Sequence, residues 1–154
     1  MTQWLSDKEQ EAWRGLLTMT SQLEAALNRQ LQDHSGLSLS DYDILVPLSE
    51  SPDGRLRIFE LADQLNWEQS RLSHHLARMT KRGLVQRIDC ASDRRGAYVS
   101  LTPTGRDAIE QAAPEHVETV KRLVFSALTP EQVQALSDIS RKVLAHTGNV
   151  PSRP

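Results

Sequence analysis

Hydrophobic residues recur every three or four positions along most of this chain, which is the spacing of one face of an α-helix. The longest such stripe predicts a helix from about residue 7 to 33, opened by the capping box Ser6-Asp7-Lys8-Glu9. At 1.5 Å per residue this helix would be roughly 40 Å long, longer than a small domain is wide, so part of its apolar face needs another partner. Similar stripes predict further helices at residues 40–50, 103–127 and 130–146.

Two residues bear on where these later helices begin or bend. Serine favours helix N-termini, so Ser40 is predicted to cap the helix at 40–50. Pro114 lies in the middle of the stripe at 103–127. Because proline cannot complete the helical hydrogen-bond ladder, that segment is expected to be either one kinked helix or two helices.

The spacing changes in the middle of the chain. A short helix containing Leu61 and Leu65 is interrupted at Asn66-Trp67, and a second helix carries Leu72 and stops near Gly83. Two helices joined by so short a turn form a helix-turn-helix.

Alternating polar and apolar residues then predict two strands, at 84–88 and 97–101, on either side of a charged loop. Residues 55–57 are predicted to add a short strand at the edge of this sheet. A two-stranded ribbon with arginines at its tip is a wing. The predicted fold class is therefore mainly α with a small β wing.

Charge is concentrated on the same segment. Residues 66–106 hold eight Lys or Arg against three acids, a balance of +5, whereas the whole chain carries −2 and the remainder therefore −7. A one-sided basic segment that also has the shape of a groove reader is the electrostatic pattern expected for a duplex-binding face.

This segment resembles the winged-helix core of the multiple-antibiotic-resistance regulator (MarR) family, and the resemblance extends over roughly residues 6–146. The residues that carry it are Leu61-Ala62, Leu84-Val85 after Arg82-Gly83, and the run Asp93-x-Arg95-x5-Leu101-Thr102-x2-Gly105. It implies one MarR-like domain over 1–154, with a winged helix-turn-helix at about 38–101 and a helical dimerisation domain at about 7–33 and 103–146.

The function implied is that of a homodimeric, sequence-specific DNA-binding transcription regulator. In such a family the partner is double-stranded DNA with a pseudo-palindromic operator, and the regulator is most often a repressor released by a small aromatic or lipophilic effector. A rival hypothesis is a winged-helix protein-interaction module without sequence-specific DNA binding. The one-sided charge favours the first, because protein contacts would not need it.

The second helix of the helix-turn-helix is predicted to be the reading element. If Leu72, His75, Leu76 and Met79 face the core, the opposite face carries short hydrogen-bonding groups that can reach base edges, with an arginine beside them placed for a phosphate or a guanine. An ordinary solvated face is the alternative. The predicted DNA-binding residues of this helix are Gln69, Ser70, Arg71, Ser73 and His74.

The wing supplies a second set of candidates. The resemblance implies that Asp93 and Arg95 hold the shape of the wing while an arginine at its tip, Arg94 or Arg95, enters the minor groove. The alternative is that both arginines are only the charged tip of an exposed hairpin.

An effector cleft is expected where the long first helix and the helix at 40–50 meet the start of the helix after Thr102. Its predicted lining is Trp13, Leu17, Tyr42, Val46 and His116, mostly aromatic or aliphatic as in small-molecule sites. The alternative is that these side chains fill one another's gaps and leave no cavity. For His116 itself a surface position is the simpler expectation.

Other chemistry is not indicated. The single cysteine, Cys90, is expected to be incidental, the five histidines lack metal-ligand spacing, and no enzymatic motif or cofactor signature is found. With no membrane-length apolar run, no charged-then-apolar leader and no pair of cysteines, the expectation is a cytoplasmic protein that does not contact the membrane.

Overall fold

The computed structural model describes residues 1–90 and 96–148. Helices dominate, with a small antiparallel sheet, which confirms the predicted fold class. The elements in chain order are α1 (Asp7–Ser35), α2 (Leu39–Glu50), β1 (Arg55–Arg57), α3 (Ile58–Leu65), α4 (Gln69–Lys81), β2 (Val85–Ile88), β3 (Tyr98–Leu101), α5 (Pro103–Leu123), a 3-10 turn at Phe125–Ala127, and α6 (Pro130–Thr147).

Helix starts follow local capping chemistry, with one correction to the prediction. The capping boxes at Ser6 and Thr129 are present. The cap of α2 is Ser38 and not Ser40: the Ser38 hydroxyl accepts a bond of 3.0 Å from the Asp41 amide, and the Asp41 carboxylate accepts one of 2.9 Å from the Ser38 amide. This reciprocal pair satisfies two otherwise unpaired donors, which Ser40, inside the helix, cannot do.

The region around Pro114 forms one helix. α5 runs unbroken from Pro103 to Leu123, so the two-helix alternative is wrong. The predicted continuation to residue 127 is also wrong, because the chain tightens into the 3-10 turn after Leu123.

The sheet has strand order β1-β3-β2, with every pair antiparallel. Leu56 pairs with Val99 across β1 and β3, and Val85 pairs with Leu101 across β2 and β3. The edge strand at 55–57 is therefore confirmed, and β3, the central strand, connects the wing to the start of α5.

A close junction joins that start to the end of the helix-turn-helix. The Thr102 hydroxyl donates to the carbonyl oxygens of Gly83, at 2.6 Å, and Leu84, at 3.0 Å, and it accepts from the Gly105 amide at 2.9 Å. A Cβ added at Gly105 would overlap the Leu84 carbonyl oxygen. Gly83 has φ +76°, as predicted for a glycine helix stop.

The chain divides into two compact units, residues 1–116 and 117–154. The first has a hydrophobic core from α1, α2, α3, α4, the sheet and the first part of α5. In the second, α6 carries exposed apolar side chains: Leu136, Ile139, Val143 and Leu144. Within the described residues no helix is long and apolar enough to cross a membrane.

Candidate nucleic-acid interface

α4 has one buried and one exposed face, as the sequence pattern predicts. Leu72, Leu76 and Met79 are buried. Gln69, Ser70 and His74 are exposed and Ser73 is half-buried, so all four lie away from the most deeply buried positions. The outward placement of Gln69, Ser70 and His74 is confirmed, whereas Ser73 lies at the boundary of the two faces, and contacts of all four with DNA stay a prediction.

Arg71, the fifth predicted reader on α4, is exposed and stacks on an aromatic ring. Its guanidinium carbon lies 3.9 Å from the centre of the Trp67 ring, a close cation–π contact. Trp67 is itself half-buried against the core, in the turn between α3 and α4. This contact restricts the Arg71 side chain to a position near the start of α4.

The tip of the wing lies outside the described residues, and with it Asp93, Arg94 and Arg95. The base of the wing is described. Arg57 donates to the Gly96 carbonyl at 3.1 Å, and the guanidinium groups of Arg55 and Arg57 lie 4.7 and 4.3 Å from the centre of the Tyr98 ring.

A groove of about 160 Å³ separates α4 from the base of the wing. Gln69 and Ser73 line it from the helix, and Arg87 lines it from β2. The Arg87 Nε donates to Asp89 at 3.0 Å. The sequence analysis counted Arg87 only among the eight basic residues of 66–106, and that charge count was the available signal.

Behind α4 lies a polar cluster that the sequence analysis did not predict: Asp41, His75 and Arg82. Asp41 is 3% exposed. Its carboxylate accepts from His75 Nε2 at 2.8 Å and from Arg82 Nη1 at 2.6 Å, and Arg82 Nη2 donates to the Gly36 carbonyl at 2.9 Å. One carboxylate thus joins the end of α1, the start of α2 and the inner side of α4.

The electrostatics of Asp41 follow from these partners. Burial on its own would raise the pKa of Asp41, but hydrogen bonds from Arg82, the Ser38 amide and His75 lower it below its usual value. The carboxylate is therefore charged near neutral pH. Asp41 is more than an acidic first-turn residue, and Arg82 serves this cluster as well as the end of its own helix.

The candidate effector residues are only partly brought together. Tyr42 and His116 are both 8% exposed and in contact, with ring centroids 4.2 Å apart, and His116 Nδ1 lies 3.4 Å from the Gln30 side-chain oxygen. The surface position expected for His116 is therefore wrong, and burial lowers its pKa. Val46 is half-buried, whereas Trp13 and Leu17 are 52% and 51% exposed.

The remaining candidates from the sequence are Cys90 and the histidines. Cys90 is a free, half-buried thiol. Over residues 1–90 and 96–148, no group of three His, Cys, Asp or Glu side chains is arranged to hold a metal ion.

Comparison with known proteins identifies the family that shares this architecture. The MarR family model matches residues 35–96. AbsC, a MarR family transcriptional regulator from Streptomyces coelicolor, is 40% identical, covers 97% of this chain and is itself covered completely, with a TM-score of 0.90. Sco3205, a MarR family transcriptional regulator from the same organism solved in complex with DNA, is 42% identical, with 99% and 95% of the two chains covered and a TM-score of 0.90.

A more distant relative is also a transcriptional regulator. The HTH-type transcriptional regulator PapX of Escherichia coli is 26% identical over 136 residues, which covers 84% of this chain and 82% of PapX. Together with the winged helix-turn-helix and the near-complete overlap with AbsC, these matches show that the chain belongs to the MarR family of transcriptional regulators.

Proposed function

We propose that this regulator binds a specific duplex DNA sequence as a homodimer, with α4 in the major groove and the wing beside it. The observation that carries the proposal is the outer face of α4, where exposed hydrogen-bonding groups stand among cations on a helix packed firmly by its other side. Its exposed polar side chains include Gln69, Ser70, Arg71, His74, Arg78 and Lys81. Sco3205, 42% identical to this chain, was solved in complex with DNA, which supports DNA as the partner.

A twofold-symmetric dimer implies an operator with matching symmetry. Two copies of α4 related by a twofold axis would read a pseudo-palindrome whose half-sites lie about 34 Å, one helical turn, apart. Arg94 or Arg95 would contribute a minor-groove contact from each wing, with Asp93 holding the wing in shape.

Binding to DNA fragments from upstream of the gene tests the proposal. Fluorescence anisotropy at several salt concentrations should show tight binding to one fragment and weak binding to a shuffled one, and both should weaken steeply with salt because Lys and Arg displace counterions. A protein-interaction module would show neither the preference nor the salt dependence, and that result would reject the proposal.

The proposed regulatory mode is repression relieved by a small aromatic or lipophilic effector. Tyr42 and His116 already form a buried aromatic pair, and the half-buried Val46 lies on the same helix as Tyr42, α2. Trp13 and Leu17 leave apolar surface on α1 that a ligand could cover. A ligand would act by binding more tightly to a conformation in which the two α4 helices no longer match successive major grooves.

Titration with salicylate tests this mode. The compound is expected to raise the melting temperature and to release operator, and Trp13→Ala should reduce both responses. Met19→Ala removes another exposed apolar side chain of α1 and is the matched control. A response that Trp13→Ala leaves unchanged, or the lack of any response to aromatic compounds, would contradict this placement of the site.

A further inference from the structure

His75 occupies an unusual position on α4. Its side chain is 14% exposed and faces inward, between the buried positions Leu72 and Met79. Unlike those neighbours it brings two ring nitrogens to the inner side of the helix, and both have polar partners. The sequence pattern assigned His75 to the core, but it does not explain why an imidazole is there.

The first partner is the buried carboxylate of Asp41. His75 Nε2 lies 2.8 Å from Asp41 Oδ1, while Asp41 Oδ2 is occupied by the Ser38 amide at 2.9 Å and by Arg82 Nη1 at 2.6 Å. The carboxylate is thus held at Oδ2 by the N-cap residue of α2 and by the residue after α4, and its Oδ1 faces His75. His75 is anchored to a rigid acceptor and not to a mobile side chain.

The second partner is the exposed Arg78, one turn further along α4. Arg78 Nη2 lies 2.9 Å from His75 Nδ1. A guanidinium group can only donate hydrogen bonds, so Nδ1 must accept with its lone pair. It follows that the hydrogen is on Nε2, where it points at Asp41, and that the ring is the neutral Nε2–H tautomer.

The third contact leads to the other end of α4. The His75 ring meets the Trp67 ring edge-on, with centroids 5.8 Å apart and planes at 80°. Trp67 in turn carries the Arg71 guanidinium on its face. The His75 imidazole is therefore hydrogen-bonded to Arg78, and it packs against Trp67, on whose ring Arg71 stacks. The two arginines are seven residues apart, two turns of helix and about 10 Å, on the same side of α4.

We propose that His75 is a positioning residue for DNA binding, which holds Arg78 and, through Trp67, Arg71 in the orientations that meet the DNA backbone. This rests on the proposed function, since it assigns the arginines a duplex as their target. An arginine side chain already held in place loses less rotamer freedom when it binds, and its phosphate contact is correspondingly stronger. His75 contributes without touching DNA.

Two isosteric variants separate its contacts. His75→Gln places an amide nitrogen near the position of Nε2 and keeps a donor for Asp41, but it offers nothing at Nδ1. His75→Asn places an oxygen near Nδ1 and keeps an acceptor for Arg78, but it does not reach Asp41. Each is combined with Arg78→Ala, and operator affinity is measured against salt concentration at one fixed pH.

In the parent, Arg78→Ala should lower the slope of log K against log salt concentration by about 1 per protomer. In the His75→Gln background the slope should already be reduced, and Arg78→Ala should change it no further. His75→Asn should restore part of the effect of Arg78→Ala. Lys8→Ala, which removes an exposed cation from the first turn of α1, is the control and should leave the slope unchanged.

An equal effect of Arg78→Ala in the parent and in His75→Gln would overturn the proposal, because a purely structural histidine would not couple to Arg78. If the His75 variants do not fold, ¹⁵N NMR of the parent imidazole decides: a hydrogen on Nε2 is expected, and one on Nδ1 would overturn the proposal. If the parent itself fails to bind duplex DNA, the proposed function falls, whichever tautomer is seen.

Discussion

At the scale of single residues, Gly105 shows why the run Leu101-Thr102-x2-Gly105 requires glycine at its last position. Its amide donates a hydrogen bond to the Thr102 hydroxyl, and that hydroxyl donates to the Gly83 and Leu84 carbonyl oxygens. The first turn of α5 thereby lies directly against the chain that leaves α4. The absence of a side chain at Gly105, and not an unusual backbone angle, permits this approach.

Gly105→Ala is expected to destabilise the protein by about 3 kcal/mol, at the upper end of the usual cost of overpacking, because the obstructing atom is backbone. Chemical denaturation measures it. Gly15→Ala is the matched control: it also lies in a helix but has no heavy atom within 4 Å of an added Cβ, so stability should stay the same or rise by about 0.5 to 1 kcal/mol. Equal effects of the two substitutions would contradict the close-contact argument.

His116 makes stability depend on pH. Burial lowers its pKa below the 6.5 of a free imidazole, so the folded chain resists the protonation that the unfolded chain accepts. Its contribution is fully present above about pH 6.5 and is lost as pH falls from there through the lowered folded pKa.

The unfolding free energy of the parent should therefore decrease between pH 7 and about 5, and His116→Gln should flatten that decrease. Denaturation curves at fixed protein concentration give the comparison. His146→Gln changes an exposed histidine and serves as the control. An identical pH dependence in parent and His116→Gln would show that the buried imidazole is not the group responsible.

At the scale of elements, α4 combines two requirements in one helix of 13 residues. Its inner face must bind the core and the Asp41 cluster, and its outer face must stay free for a partner. The hydrogen bonds of Asp41 to His75 and Arg82, and of Arg82 to Gly36, attach α4 to both α1 and α2. A shift of the α1–α2 junction is therefore expected to move α4 as well.

Ser70→Ala and His74→Ala are expected to change base preference, at a cost of about 1 to 3 kcal/mol for each base contact of bidentate quality that is lost. Selection from a randomised site library measures the preference. Binding to non-specific DNA should change little, because neither side chain is a fixed cation. Unaltered preference in both variants would show that another element reads the bases.

At the scale of the whole molecule, exposed apolar surface on the long helices is the dominant feature. Leu16 on α1 is 49% exposed, and on α6 Ile139 and Leu144 are 59% and 69% exposed. Apolar patches of this kind on a folded chain mark an interaction surface. A second copy of the chain would cover them and would set the spacing of the two α4 helices.

Sedimentation at micromolar concentration should show a species of two chains. Ile139→Glu should weaken it, because a charge would be buried in an apolar interface, while Ser137→Glu places the same charge on another side of α6 and should not. A folded single-chain species of the parent at this concentration would reject the dimer.

By itself the sequence determined the features that rest on local chemistry. Helix periodicity located α1, the two faces of α4 and the stripe on α6, and the alternation of side chains located β2 and β3 to within a residue. The glycine stop at Gly83 and the capping boxes at Ser6 and Thr129 involve neighbours three or four residues away, so they leave a readable pattern.

Only the tertiary structure decided the contacts between distant parts of the chain. Asp41 meets His75 and Arg82 across 34 and 41 residues, and Tyr42 meets His116 across 74. Such pairs depend on how whole elements pack, and a buried carboxylate or imidazole carries no periodic signal of its partner. For that reason His75 could be recognised as facing inward from the sequence, while its part in holding Arg78 emerged only from the fold.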